Sequence, residues 1–158
     1  MSEAYERYQL RYGVEFIRKL GDGKDGYVLE TASRRAVKFF SSHEIFQREL
    51  AAYQILRDQQ IQEMQGFQIP LLKGSDEELL AIEMTIVRPP FLIDFASAYT
   101  EEDVFFFDFS DDVIDEREQH WAEIFGDRWP IVVALRDEFI RRTGLMLLDL
   151  SLNNVRFD

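Results

Sequence analysis

The chain has 158 residues, with 18 Lys and Arg against 30 Asp and Glu for a formal net charge of −12, and it contains no cysteine. That is the length of a single domain, and 46% hydrophobic residues with 14 Phe, 6 Tyr and 2 Trp are enough to build a core rather than a disordered chain. Without cysteine there is no disulfide framework, thiolate zinc site or cysteine nucleophile; with only His43 and His120 a histidine-rich metal site is excluded, and the acidic excess argues against nucleic acid or an anionic membrane as partner.

The first residues, MSEAYERYQLRYG, carry charges throughout and no apolar stretch, and nowhere do about 18 apolar residues run together, so neither a secretory signal nor a membrane span is expected. A cytoplasmic protein is the expectation. Val14–Leu20 alternates and runs into Gly21, Tyr27–Thr31 is aromatic and β-branched, and Ala36–Val37–Lys38–Phe39–Phe40 follows a short polar break. Three such strands with short connections predict an antiparallel meander. The period then changes to a helical one, with Phe46, Leu50, Tyr53 and Leu56 on one stripe and Ser41 with Glu44 as a capping box, predicting a helix over 42–57. Phe67–Leu72 and Leu79–Met84 read as strands four and five, joined by a turn over Gly74–Glu77. The fold class is therefore α+β, a five-stranded antiparallel sheet plus one helix, over residues 1–87.

Residues 88–158 have a different character. Between 101 and 125 there are ten acidic residues and one basic one, Arg117, so this stretch holds −9 of the −12. It is interleaved with Phe105–Phe107 and Phe109, which are expected to pack along with Trp121 and Trp129 while the carboxylates stay wet and His120 stays at the surface. The segment reads as a solvated acidic face, or as a docking surface for a basic protein partner. Ile131, Leu135 and Phe139 then recur every four residues, with Pro130 in the first turn, Arg141 and Arg142 in the last and Gly144 just beyond, predicting a capped amphipathic helix.

Gly21-Asp-Gly23-Lys-Asp-Gly26-Tyr-Val28 is a G-x-G-x-x-G-x-V string. A dinucleotide-binding turn would open a helix here, a Walker loop would place Lys-Ser/Thr after the last glycine, and a calcium loop would put Gly21 at a ligand position. What remains is a glycine-rich hairpin whose backbone amides can approach phosphates. On the third strand Ala36 and Lys38 share a face, and Glu49 sits in the apolar stripe of the following helix, where a carboxylate needs a cation; Lys38 is the natural one.

The order G-D-G-K-D-G-Y-V, A-V-K and helical Glu49, followed after the second helix by Asp149-Leu-Ser-Leu-Asn-Asn154, resembles the protein-kinase-like superfamily of eukaryotic-like protein kinases and aminoglycoside-type phosphotransferases. The resemblance runs over residues 14–157 and implies a small lobe followed by a minimal large lobe. It implies that Gly21, Gly23 and Gly26 cover the phosphates of ATP, that Val28 and Ala36 sandwich the adenine, and that Lys38, held by Glu49, binds the α- and β-phosphates. Ile82 becomes the gatekeeper, Glu83 and Thr85 supply hinge backbone groups, Asp149 serves the acceptor hydroxyl and Asn154 holds magnesium. The chain departs from the pattern in four places: Leu147-Leu148 stands for His-Arg, Ser151 for lysine, Arg156 for an apolar residue under the base, and no D-F-G follows Asn154. Asp108-Phe109-Ser110 is upstream and reads as an acidic loop. The expectation is thus a phosphotransferase to a protein or small-molecule hydroxyl, with a catalytically impaired, pseudokinase-like regulatory module as the alternative.

Overall fold

The computed structural model describes residues 3–158. It opens with a helix, α1 (Ala4–Tyr12), and continues with β1 (Phe16–Gly23), β2 (Gly26–Thr31), β3 (Arg35–Phe40) and α2 (His43–Asp58). Next come β4 (Glu63–Met64), β5 (Phe67–Gln68), β6 (Leu72–Asp76) and β7 (Ala81–Thr85). The remainder is β8 (Phe91–Leu92), β9 (Ala98–Thr100), α3 (Glu101–Phe107), α4 (Asp111–Phe125), α5 (Trp129–Thr143), β10 (Leu145–Leu147) and β11 (Val155–Arg156).

The main sheet has five antiparallel strands in the order β1-β2-β3-β7-β6. The meander is as the alternation predicts. Its two faces are chemically distinct because successive side chains point to opposite sides. Val28, Ala36, Phe40, Ile82 and Met84 face α2 and the main core, while Tyr27, Leu29, Val37, Phe39 and Ala81 face outward into a smaller cluster closed by Tyr8 of α1.

The α1 helix is not among the elements the sequence pattern suggested, although Tyr5, Tyr8 and Tyr12 have helical spacing and Gly13, at φ 64, ends it in a left-handed C-cap. It is fastened to the sheet by Arg11, which donates to Asp76 at 2.7 Å, and by the Tyr12 hydroxyl, which donates to the same carboxylate at 2.7 Å. Three further boundaries differ. Gly74, Ser75 and Asp76 belong to β6, and the turn comes later, at 77–80, because the Asp76 carboxylate accepts the Leu79 amide and closes it there. The cap of α2 is Ser42 rather than Ser41, its hydroxyl accepting from the Ile45 amide. In α5 the buried stripe is Val132, Leu135 and Phe139, and Ile131 is exposed.

The aromatic run also behaves differently from expectation. Phe105 and Phe106 are 81% and 75% exposed. Consecutive residues on a helix are about 100° apart, so Phe105, Phe106 and Phe107 in α3 cannot all face inward; only Phe107 turns back, edge-on to Tyr99. Trp121 is buried as expected, and His120 is exposed. No helix among the described residues is long and apolar enough to cross a membrane.

Two small sheets tie the later elements to the earlier ones. The first has the order β11-β8-β5-β4, with β8 antiparallel to β11 and parallel to β5; in the second, β9 pairs with β10. One hydrophobic cluster runs from Ala36 through Tyr53 and Phe95 to Phe139 and Val155, so residues on both sides of position 87 share a core.

Candidate functional site

The glycine-rich string folds as a hairpin, β1 and β2 pairing down to Gly23 opposite Gly26 with Lys24 and Asp25 at the tip. Its glycines are not equivalent. Gly26, at φ 144, lies so close to β3 that a Cβ there would sit 1.8 Å from the Phe39 carbonyl oxygen, so the fold itself demands glycine. At Gly21 and Gly23 a Cβ would meet nothing, so the space above them is open.

Register brings Val28, Lys38 and Ile82 into one row across β2, β3 and β7, and puts Met84 beside Ala36 in the next row but one. Met84, not Ile82, is therefore the β7 side chain level with Ala36. Ile82 is fully buried opposite Lys38. Glu83 lies within β7, with Val37 of β3 opposite it on one side and Gly74 of β6 on the other, inside the sheet rather than at its end. The Thr85 amide donates to the Leu71 carbonyl at 3.0 Å and its hydroxyl accepts the Leu71 amide at 2.9 Å. Its amide is thus also engaged, and the chain leaves the sheet only at Ile86.

Lys38 and Glu49 meet as expected, Nζ to Oε2 at 2.8 Å, with side chains 10% and 1% exposed. A second carboxylate that sequence reasoning missed completes the group: Asp94 Oδ1 is 3.5 Å from Lys38 Nζ. Burial alone would drive the Lys38 pKa down, but the charges of Glu49 and Asp94 more than reverse this and hold it above its usual value. Burial pushes Glu49 up to about 7, with Lys38 pulling back and Asp94 adding to the rise. Lys38 therefore stays an ammonium while Glu49 binds a proton far more readily than a solvated glutamate.

Asp94 is held by the fold from both sides. The β8 strand just before it pairs with β11, and the Ile93 amide donates to the Asn154 carbonyl at 2.9 Å. The β9 strand just after it pairs with β10, and the Leu148 amide donates to the Ser97 carbonyl at 3.1 Å. Since β10 and β11 bracket Asp149–Asn154, the two segments are clamped side by side. Phe95 anchors the segment: fully buried, it stacks on Phe139 at 5.4 Å and meets Tyr53 edge-on at 5.1 Å. Asp94 itself adopts φ 71, a left-handed conformation that aspartate tolerates better than most residues. The signal was present as Asp94-Phe95-Ala96 after a short apolar run. Nothing local connects Asp94 to Lys38 or to the 149–154 loop, and only strand pairing brings them together.

The 149–154 loop is fixed by Asn154, whose side-chain amide donates to the Asp149 carbonyl at 2.9 Å and whose Oδ1 accepts the Ser151 amide at 2.8 Å. Asp149 is exposed, and Arg156 is exposed with its Nε on the Asp158 carbonyl at 3.0 Å. Asp94, Asp149 and Asn154 line one cavity of about 520 Å³, whose opposite wall includes Lys24 and Asp25 from the hairpin tip. Asp108, the other Asp-Phe aspartate, caps α3 and does not line this cavity.

No family description and no curated protein matches the chain. Solved structures similar to it include a streptomycin–ATP–APH(2'')-IIa ternary complex, with 14% identity, a TM-score of 0.45, and 75% of this chain and 36% of that one covered. The ADP-bound aminoglycoside phosphotransferase APH(2'')-Ib has 18% identity and a TM-score of 0.42, covering 73% and 35%. A gentamicin–APH(2'')-IIa complex has 19% identity and a TM-score of 0.42, covering 72% and 34%. The chain thus spans about a third of the length of these proteins, and no residue role follows from likeness at this level.

Proposed function

We propose that this chain binds ATP between the glycine hairpin and the 149–154 loop and transfers its terminal phosphate to a hydroxyl. The observation that carries the reading is the convergence of Lys38, Glu49, Asp94, Asp149 and Asn154 from four separate stretches of chain: Asp94, Asp149 and Asn154 line one cavity, and Lys38, paired with Glu49, reaches Asp94 at its edge. The open space over Gly21 and Gly23 admits phosphates, and the Lys38 ammonium, kept charged by two carboxylates, attracts them. Val28, Ala36 and Met84 offer an apolar bed for a base, and the segment from Ile86 onward takes over the hinge role expected of Glu83 and Thr85.

The donors available for a metal are the Asp94 carboxylate, 42% exposed, and the second lone pair of Asn154 Oδ1. These hard oxygens, with phosphate and water completing the shell, fit magnesium. When bound, it would neutralise charge on the transferred phosphoryl group. Asp149 orients the acceptor hydroxyl and takes its proton as the acceptor oxygen bonds to the γ-phosphorus; the bond from that phosphorus to the bridging oxygen breaks, and ADP leaves. Asn154 keeps Asp149 in place through its bond to the Asp149 carbonyl. The alternative, a pseudokinase-like module, draws on the missing D-F-G and on Arg156; an acid at Asp94, 3.5 Å from Lys38, favours phosphotransfer over it.

Thermal melting with nucleotide tests the reading. Mg-ATP at 100 times its dissociation constant adds about 2.7 kcal/mol of stability, and Asp149→Ala keeps this shift while losing phosphate transfer. No shift with Mg-ATP or Mg-ADP overturns the proposal.

A further inference from the structure

The walls of the cavity beyond the phosphate-handling acids are basic, in a chain whose net charge is −12. Arg48 reaches in from α2, Arg117 and His120 from α4, and Lys24 from the hairpin tip. Arg117 is the decisive one. It is the single cation among ten acids in residues 101–125, yet it forms no ion pair with any carboxylate among the described residues. Glu118, next to it, bonds Arg136 instead. The Arg117 guanidinium lies over the rings of Phe109, at 4.9 Å, and Trp121, at 5.9 Å, which hold it at the cavity wall. Arg48 is similarly braced: it lies 4.2 Å over Tyr99 and donates to the Ala96 carbonyl at 2.8 Å, and its carboxylate partner, Glu44 at 3.1 Å, is 85% exposed.

Two guanidiniums pre-positioned on aromatic faces beside Asp149 form a fork for an anionic group. A pocket built for a cationic acceptor would carry carboxylates in these positions, and here a cation would be repelled by Arg48 and Arg117. A cavity of about 520 Å³ suits a small molecule. We infer that the acceptor is a small polyhydroxyl compound bearing a carboxylate or phosphate, which Arg48 and Arg117 hold while a hydroxyl is presented to Asp149. This rests on the phosphotransfer reading above and names its substrate class.

The test is calorimetric titration of the full chain, first with Mg-ADP and then, in its presence, with gluconate, glucose 6-phosphate, neutral sorbitol and cationic kanamycin. Gluconate or glucose 6-phosphate should bind, sorbitol and kanamycin at least about tenfold more weakly, and binding should weaken with added salt. Arg117→Gln and Arg48→Gln should each cost about tenfold or more for the anionic ligand. Lys73→Gln, which removes the same charge from an exposed site on β6, should cost nothing. Kanamycin or sorbitol binding as well as the anions, neither anion binding, or anion binding indifferent to both arginine variants overturns the inference. If Mg-ADP alone fails to bind, the phosphotransfer reading falls, and the anion titration still decides whether Arg48 and Arg117 form an anion site. A difference between gluconate and glucose 6-phosphate assigns the anion as carboxylate or phosphate.

Discussion

Val155 lies opposite Leu92 in an antiparallel pair, and this contact between residues far apart in the chain sets Asn154 alongside Ile93 and brings Asp94 to the same cavity as Asp149. Strand pairing rather than sequence order thus puts an acid from before Asp149 beside the 149–154 loop.

If Asp94 is the second magnesium ligand, Asp94→Asn removes the magnesium-dependent part of the nucleotide-induced melting shift and leaves any magnesium-independent part. Asp108→Asn, at the Asp-Phe pair outside the cavity, leaves both parts intact. Melting curves with ATP, with and without magnesium, decide between them; an undiminished magnesium effect in Asp94→Asn assigns the ligand elsewhere.

The Lys38–Glu49 pair predicts a pH dependence of stability. The folded-state pKa of Glu49 is about 7 against an ordinary value of 4.5, so between these values the folded protein binds a proton that the unfolded chain has released. Stability from this group is therefore greatest below about pH 4.5 and declines as pH rises through about 7. Glu49→Gln flattens that part of the profile. Urea unfolding at several pH values measures it, and an unchanged slope in the variant would locate the titrating group elsewhere.

Asn154→Ala breaks two bonds that close the 149–154 loop, leaving the Ser151 amide and the Asp149 carbonyl unpartnered. A loss of about 1–3 kcal/mol is expected by denaturant unfolding. Asn154→Asp keeps the acceptor for Ser151 but sets a carboxylate against the Asp149 carbonyl, so it does not restore stability; full rescue by aspartate contradicts this hydrogen-bond assignment.

Gly26→Ala is expected to be the most damaging change in the hairpin, costing more than about 2 kcal/mol, because the Cβ meets the β3 backbone and φ 144 is unfavourable for alanine. Gly21→Ala and Gly23→Ala should cost far less stability. Their effect should fall on nucleotide affinity instead, and thermal melting with and without Mg-ADP separates the two.

The sheet and α2 were legible in the sequence because their signals are local. Alternation in β1–β3 assigns faces, and Glu49 in an apolar stripe demands a cation that Ala36-Val37-Lys38 supplies one element earlier. The capped α5 was legible for the same reason, although which of its turns faces the core was decided by what lies opposite, so Val132 and not Ile131 is buried. Helix α1 went unread because its burial depends on Asp76 and Phe39, residues that sequence spacing does not connect to Tyr8.

What the sequence by itself determined is the pleat of the sheet, the identity of the Lys38–Glu49 pair and the Asp149–Asn154 loop, all of which rest on neighbours within a few residues or on adjacent elements. Only the tertiary structure decided that Asp94 joins them, that Met84 rather than Ile82 stands beside Ala36, and that Arg117 faces the cavity instead of its acidic neighbours. Each of those depends on register between strands or on packing between helices, where a shift of one residue reverses which side chain faces the site; pairing across the chain sets that register, and no local pattern encodes it.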